Sequence, residues 1–166
     1  MRLTCHHSVI EGLILIIREA KIDEISRLLV LEQCVIDAER PYNSSLKGKS
    51  AYYYDIERLI SCHKSHLLVA EVGNEIVGTG YAQIRDSKPS LKHEQHCYLG
   101  FMYVSPNYRG QGINSKLMNK LIDWSKGRGI FDFYLDVYAD NDSAVKAYEK
   151  VGFKGGLLEM KLCLTE

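Results

Sequence analysis

The sequence has little of what marks several large protein classes. It contains three prolines and one tryptophan in 166 residues, with no internal repeat, low-complexity tract or proline-rich linker. Lys and Arg number 21 against 21 for Asp and Glu, so the formal net charge is zero. Without a basic excess or a basic stripe, no global field draws the chain to nucleic acid or an anionic membrane, and neither is expected as a partner. The five cysteines (Cys5, Cys34, Cys62, Cys97, Cys163) are scattered, odd in number and free of C-x-x-C spacing. That pattern argues for reduced thiols and a cytoplasmic address. The longest apolar run, Leu13 to Ile17, is too short to span a bilayer. The amino terminus shows no charged-then-apolar signal with a small-residue cleavage site. The pairs His6-His7, His63-x-x-His66 and His93-x-x-His96 have no Cys or carboxylate to complete a ligand set, so no metal is expected.

What remains is ordinary for a soluble globular chain: 46% hydrophobic and 25% charged residues. The length fits one domain over 1–166, with 1–12 as a loose arm. Leu13–Arg18 reads as a buried strand, and Lys21–Ala38 as a helix stopped by Pro41. Residues 39–50 are a polar loop, and Ala51–Cys62 resumes helical spacing. Ser65–Val72 and Glu75–Ile84 flank Gly73-Asn74, a strong hairpin signal. Gln95–Val104 is a strand and Arg109–Lys126 an amphipathic helix stopped by Gly127 and Gly129. Phe131–Tyr138 alternates strictly, Asp140–Val151 is a capped helix ending at Gly152, and Leu157–Leu164 reads as a last strand. This order implies an α/β (α+β) fold, a mixed sheet with helices on both faces.

One stretch carries chemistry. After the strand stops at Ser105-Pro106, two glycines at Gly110 and Gly112 precede a helix. Glycine lets main-chain N–H groups approach a ligand, and first-turn amides lack intrahelical acceptors, so the segment reads as a phosphate cradle. It is not a P-loop, because no Lys-Ser or Lys-Thr follows the second glycine. It is not G-x-G-x-x-G either, because Ser115 stands at the third position.

A second block, Asn141-Asp142-Ser143-Ala144-Val145-Lys146-Ala147-Tyr148 through Gly152-Phe153, places Asn141 and Tyr148 two helical turns apart on one face. Together with Arg109-Gly110-Gln111-Gly112, it resembles the GNAT superfamily of acyl-CoA-dependent N-acetyltransferases, whose motifs are R/Q-x-x-G-x-G/A and N-x-x-A-x-x-x-Y-x-x-x-G-F. The likeness extends from about Leu13 to Leu164. It departs at Asn114, where the family usually has glycine or alanine. The larger polar side chain narrows the cradle or adds a hydrogen bond.

The resemblance implies a GNAT-like, mostly antiparallel sheet of about six to seven strands, acetyl-CoA as acyl donor, and an amine acceptor on a small molecule or peptide. Met102, Tyr103 and Val104 are expected along the pantetheine arm. Arg109, Gly110, Gln111, Gly112, Ile113, Asn114 and Ser115 are expected at the pyrophosphate, with Lys116 and Lys146 as helpers for the phosphates, and Asn141 and Tyr148 are also expected to contact the cofactor. Tyr148 is expected as general acid to the thiolate, since a phenol of pKa about 10 is protonated at neutral pH. The Val104 N–H is the expected oxyanion donor, and Asp136 the expected base, with Glu94 and Glu39 weaker candidates. Glu39 and Tyr42, near Tyr52, Tyr53 and Tyr54, are expected at the acceptor groove. The alternatives are a non-catalytic acyl-CoA sensor and an interaction module; a homodimer is left open.

Overall fold

The computed structural model describes residues 14–164. The expected arm over 1–12, with its His6-His7 pair and Cys5, lies outside the described residues, as does Leu13 of the first expected strand. The chain divides into two compact units between Asp136 and Val137, and each is described by itself.

The first unit holds a five-stranded sheet in the order β1 (Leu15–Glu19), β2 (Ser65–Val72), β3 (Glu75–Asp86), β4 (Gln95–Val104) and β5 (Phe133–Tyr134). Neighbouring strands are antiparallel except β4 and β5, which run parallel. Gly73 and Asn74 both take positive φ, 54° and 67°, as the two-residue hairpin joining β2 to β3 requires. Alternation along β2 sends Leu67 and Val69 to one face and Leu68 and Ala70 to the other.

Helices cover both faces. On one side, α1 (Ile25–Glu39) and α2 (Ile56–Ser61) bury Leu28, Val35, Ile56 and Leu59 against Leu67, Val69, Tyr81 and Phe101. On the other, α3 (Ile113–Lys126) buries Ile113, Leu117, Met118 and Leu121. Gly78 and Gly80 on β3 let α3 sit close: a Cβ on Gly80 would meet the Leu121 side chain at 3.2 Å. Arg18 on β1 hydrogen-bonds the carboxylates of Glu24 and Glu71, tying the first strand to the second and to the turn before α1.

Several elements differ from the sequence-based reading. The helix expected from Ala51 begins only at Ile56, where Asp55 Oδ1 accepts from the Arg58 N–H at 3.0 Å. Tyr53 and Tyr54 run ahead of it because a buried carboxylate on α1 binds their main chain. Glu32 Oε1 accepts from the two amides at 2.7 and 2.8 Å. The strand expected over 131–138 shortens to Phe133–Tyr134, and no strand forms over Leu157–Leu164. Alternation marks residues able to pair, but a strand exists only where a partner completes the ladder. The sheet therefore has five strands among the described residues rather than six to seven.

In the second unit, α4 (Asp142–Val151) starts at Asn141, whose Oδ1 accepts from the Ala144 N–H at 3.2 Å. It ends at Gly152 with φ 111°. No helix of the described residues is long and apolar enough to cross a membrane.

Candidate functional site

Past Tyr98 the outer edge of β4 has no strand partner among the described residues, along the stretch where the donor is expected. β5 pairs with β4 only at Cys97 and Tyr98. Beyond them, β4 kinks away from regular pairing with β3. Thr79 faces Tyr103 while Tyr81 faces Gly100, so Phe101 and Met102 oppose Gly80 alone. This is a β-bulge, and Phe101 adopts φ 53° within it. Positive φ at a bulky residue costs on the order of 1–3 kcal/mol and persists only where the surroundings hold it. Three contacts do so. Thr79 Oγ1 donates to the Phe101 carbonyl at 2.8 Å in a fully buried setting. The Phe101 ring, 1% exposed, stacks on Tyr54 at 4.8 Å. The Tyr54 phenol also hydrogen-bonds the Phe101 main chain.

After the bulge, the register turns Val104 outward. The Ser105 N–H donates to the Val77 carbonyl at 2.8 Å, so Gly78 and Val104 form the alternate, non-hydrogen-bonded pair. Both main-chain polar groups of Val104 consequently point away from β3. Its carbonyl accepts from Arg109 Nε at 3.0 Å, which folds the Arg109 side chain back onto the strand end.

Val104, Arg109, Gly110, Gly112 and Asn114 line a cavity of about 100 Å³ with Tyr108 and Ile113. Gly110 and Gly112 have φ 76° and 75°, and a Cβ on either would meet no atom within 4 Å. Their main chain is therefore bare to the cavity side, the condition a phosphate cradle needs. Lys116 N–H to Gly112 O, at 3.0 Å, is the first hydrogen bond of α3. The amides of Ile113, Asn114 and Ser115 lie ahead of it and have no intrahelical acceptor. Gln111 has a buried Oε1 without a partner, a group that an amide flip exchanges for an NH₂ donor. The residues present thus fit a diphosphate.

Tyr103, half-buried on β4, has its phenol against the Cys34 and Ser105 side chains, and burial with the neighbouring thiol raises its pKa. Among the described residues, no cluster of His, Cys, Asp and Glu is arranged to hold a metal ion.

A larger cavity of about 330 Å³ lies on the α2 side of the sheet. Tyr53, Tyr54, Asp55 and Arg58 form one wall, and Tyr81, Gln83 and Arg85 along one face of β3 form the other. The Arg85 guanidinium lies 3.8 Å over the Tyr98 ring, and its Nε donates to Gln83 Oε1 at 2.8 Å. Tyr98 in turn donates from its phenol to Asp136 Oδ2 at 2.9 Å. Burial, then the hydrogen bond to Asp136, raises the Tyr98 pKa, so this phenol stays protonated. Asp136 is exposed at the end of the first unit.

Glu39 and Tyr42 do not line this cavity. Glu39 closes α1, and burial pushes its carboxyl above the usual carboxylate range, against a hydrogen bond from Tyr53 that works the other way. Tyr42 lies in the turn after α1. Sequence reasoning missed Thr79, Arg58, Arg85 and Tyr98. The period-two spacing of Tyr81, Gln83 and Arg85 was the available signal for one cavity wall. Nothing in the sequence marked Thr79.

In the second unit, Tyr148 is half-buried on α4 and meets Phe153 edge-on at 6.2 Å between ring centroids. The Asn141 side chain is occupied as the helix cap.

Comparison with known proteins gives the following. The sequence model of the acetyltransferase (GNAT) family matches residues 32–153. Among solved structures, a tetramutant of the BH1408 protein from Bacillus halodurans is similar at TM-score 0.79 and 22% identity. That match covers 90% of this chain and 99% of the other. A predicted acetyltransferase from Clostridium acetobutylicum, solved with acetyl-CoA, is similar at TM-score 0.70 and 22% identity over 91% and 97%. An aminoglycoside acetyltransferase, meta-AAC0020, from an uncultured soil metagenomic sample, is similar at TM-score 0.69 and 18% identity over 94% and 99%.

Proposed function

This chain belongs to the acetyltransferase (GNAT) family and is an acyltransferase, and from that premise we propose that it acetylates a primary amine by direct attack on acetyl-CoA. The observation that carries the proposal is the outward-facing main chain of Val104 beside the bare glycine loop at Gly110 and Gly112. An open strand edge supports pairing with the amide-bearing arm of the donor. The free amides that follow support its diphosphate. Arg109, whose guanidinium is anchored by the Val104 carbonyl, brings a positive charge to the same place.

The reaction needs a neutral amine, a donor to the developing oxyanion and a protonated leaving thiol. The amine lone pair forms the new C–N bond at the thioester carbonyl while the C–S bond breaks. In this reading the Val104 N–H faces the carbonyl oxygen. Asp136 takes the amine proton, directly or through a water, and its hydrogen bond from Tyr98 fixes the carboxylate's orientation. Tyr148 gives its phenol proton to the sulfur.

Thiol release on mixing acetyl-CoA with an amine panel tests this. Tyr148→Phe is expected to lower kcat by about 10²-fold or more with little change in coenzyme A binding, as removal of a general acid does. Asp136→Asn is expected to lower kcat by about 10²-fold with coenzyme A binding unchanged, as removal of a general base does. Coenzyme A binding without thiol release from any amine would select a sensor instead.

A further inference from the structure

The cavity beside α2 has a charge character that points to one class of acceptor. Its walls bring two guanidiniums, Arg58 and Arg85, against a single carboxylate, Asp55. Asp55 already spends an oxygen on the Arg58 amide as the cap of α2. Neither guanidinium is in an ion pair among the described residues. Arg85 is nonetheless held in place, by the Tyr98 ring beneath it, by Gln83 at its Nε and by a hydrogen bond with the Tyr81 phenol. A fixed guanidinium with N–H groups to spare is preorganised for a planar or tetrahedral oxyanion. The Tyr81 phenol beside it supplies a further polar edge, and burial raises its pKa, so it stays protonated.

The place is as telling as the charge. Tyr54 belongs both to the cavity wall and to the stack on Phe101, so the cavity opens beside the bulge of β4. Arg85 and Asp136 sit against the same residue, Tyr98, one over its ring and the other at its hydroxyl. A small molecule with an anionic end and an amine end therefore meets complementary charges in this order. A purely cationic amine would instead face two guanidiniums against the single wall carboxylate of Asp55. At about 330 Å³ the cavity is at the lower end of the range for small-molecule sites.

We propose that Arg58 and Arg85 seat a carboxylate or phosphate of the acceptor, so that the acceptor is a small amine carrying a compact anionic group. This rests on the transferase reading above, and the test separates the two. N-acetyl amino acids, their carboxamides and N-acetyl-aminoethyl phosphate are titrated calorimetrically into the coenzyme A-loaded protein. The acids or the phosphate are expected to bind at least about tenfold tighter than the amides, the range of a charge-assisted hydrogen bond. Which of the two binds tighter identifies the oxyanion. Arg58→Gln, a change at an exposed side chain, and Arg85→Lys, which keeps the charge but loses the planar fork, are each expected to reduce that preference. Equal binding of acids, phosphate and amides, or an undiminished preference in both variants, would overturn the proposal. In parallel, thiol release is measured with the matched free amines. Turnover of amides as readily as acids removes the anion seat and leaves the transferase standing. An acid preference in binding with no turnover of any amine removes the transferase and leaves the seat.

Discussion

Thr79→Val tests whether the bulge in β4 is held by the contact assigned to it. The substitution keeps the shape of a fully buried side chain and deletes one hydroxyl. That hydroxyl donates to the Phe101 carbonyl at 2.8 Å. Valine leaves the carbonyl buried and short of this partner, at a cost of about 1–3 kcal/mol. Cavity and strand-propensity effects are small for so close an isostere, so the lost hydrogen bond dominates. With a urea slope of about 2 kcal/mol per M for a chain of this size, the midpoint is expected to fall by about 0.5–1.5 M. The single tryptophan, Trp124 on α3, reports the transition by fluorescence. Because Phe101 holds φ 53° only under constraint, the variant is also expected to relax the bulge and disturb the outward register of Val104. Coenzyme A affinity should weaken in parallel. An unchanged midpoint would refute the anchor. A lower midpoint with unaltered coenzyme A binding would refute the link from bulge to open edge.

Further outcomes follow from other contacts. Glu32→Ala strands two half-buried amides, those of Tyr53 and Tyr54, and is expected to cost about 2–4 kcal/mol. Some relief comes from losing Glu32 Oε2, which is buried without a partner, and a shift in urea midpoint measures the net. Glu39 has a raised pKa in the folded chain, so its charged form is disfavoured there and stability attributable to it falls as pH rises above the usual carboxylate range. Glu39→Gln should accordingly gain melting temperature relative to wild type at pH 7.5 more than at pH 4. A difference constant with pH would contradict the assignment. Gly112→Ala meets no steric obstacle but must hold φ 75°, so a loss of about 1 kcal/mol is expected with weakened coenzyme A binding. A clash-sized loss of several kcal/mol, read by thermal melts, would show that the space around this glycine is not open.

Local rules make much of this protein legible in its sequence. The Gly73-Asn74 hairpin, the Asn141 cap, the Gly152 stop and the apolar stripe of α3 each depend on residues a few positions apart, and each appears as read. The two motifs point to a family through the same kind of short-range pattern, and the family match bears that out. What depends on distant partners was not legible. Tyr53 and Tyr54 have helical spacing but stay outside the helix, because Glu32, more than twenty residues earlier, takes their amides. Residues 131–138 and 157–164 alternate as strands do, yet alternation names no partner, and only Phe133–Tyr134 pair. Phe101 offers no warning of a positive φ, since the residue types that ordinarily announce one are glycine and asparagine. Its conformation is imposed by Thr79 and Tyr54, brought to it by the sheet and by the segment before α2. The sequence by itself determined where most elements start and stop and which chemistry they resemble. The tertiary structure alone decided where β4 lacks a strand partner among the described residues and which charges line the cavity beside α2, because hydrogen-bond pairing and burial are set by partners far along the chain.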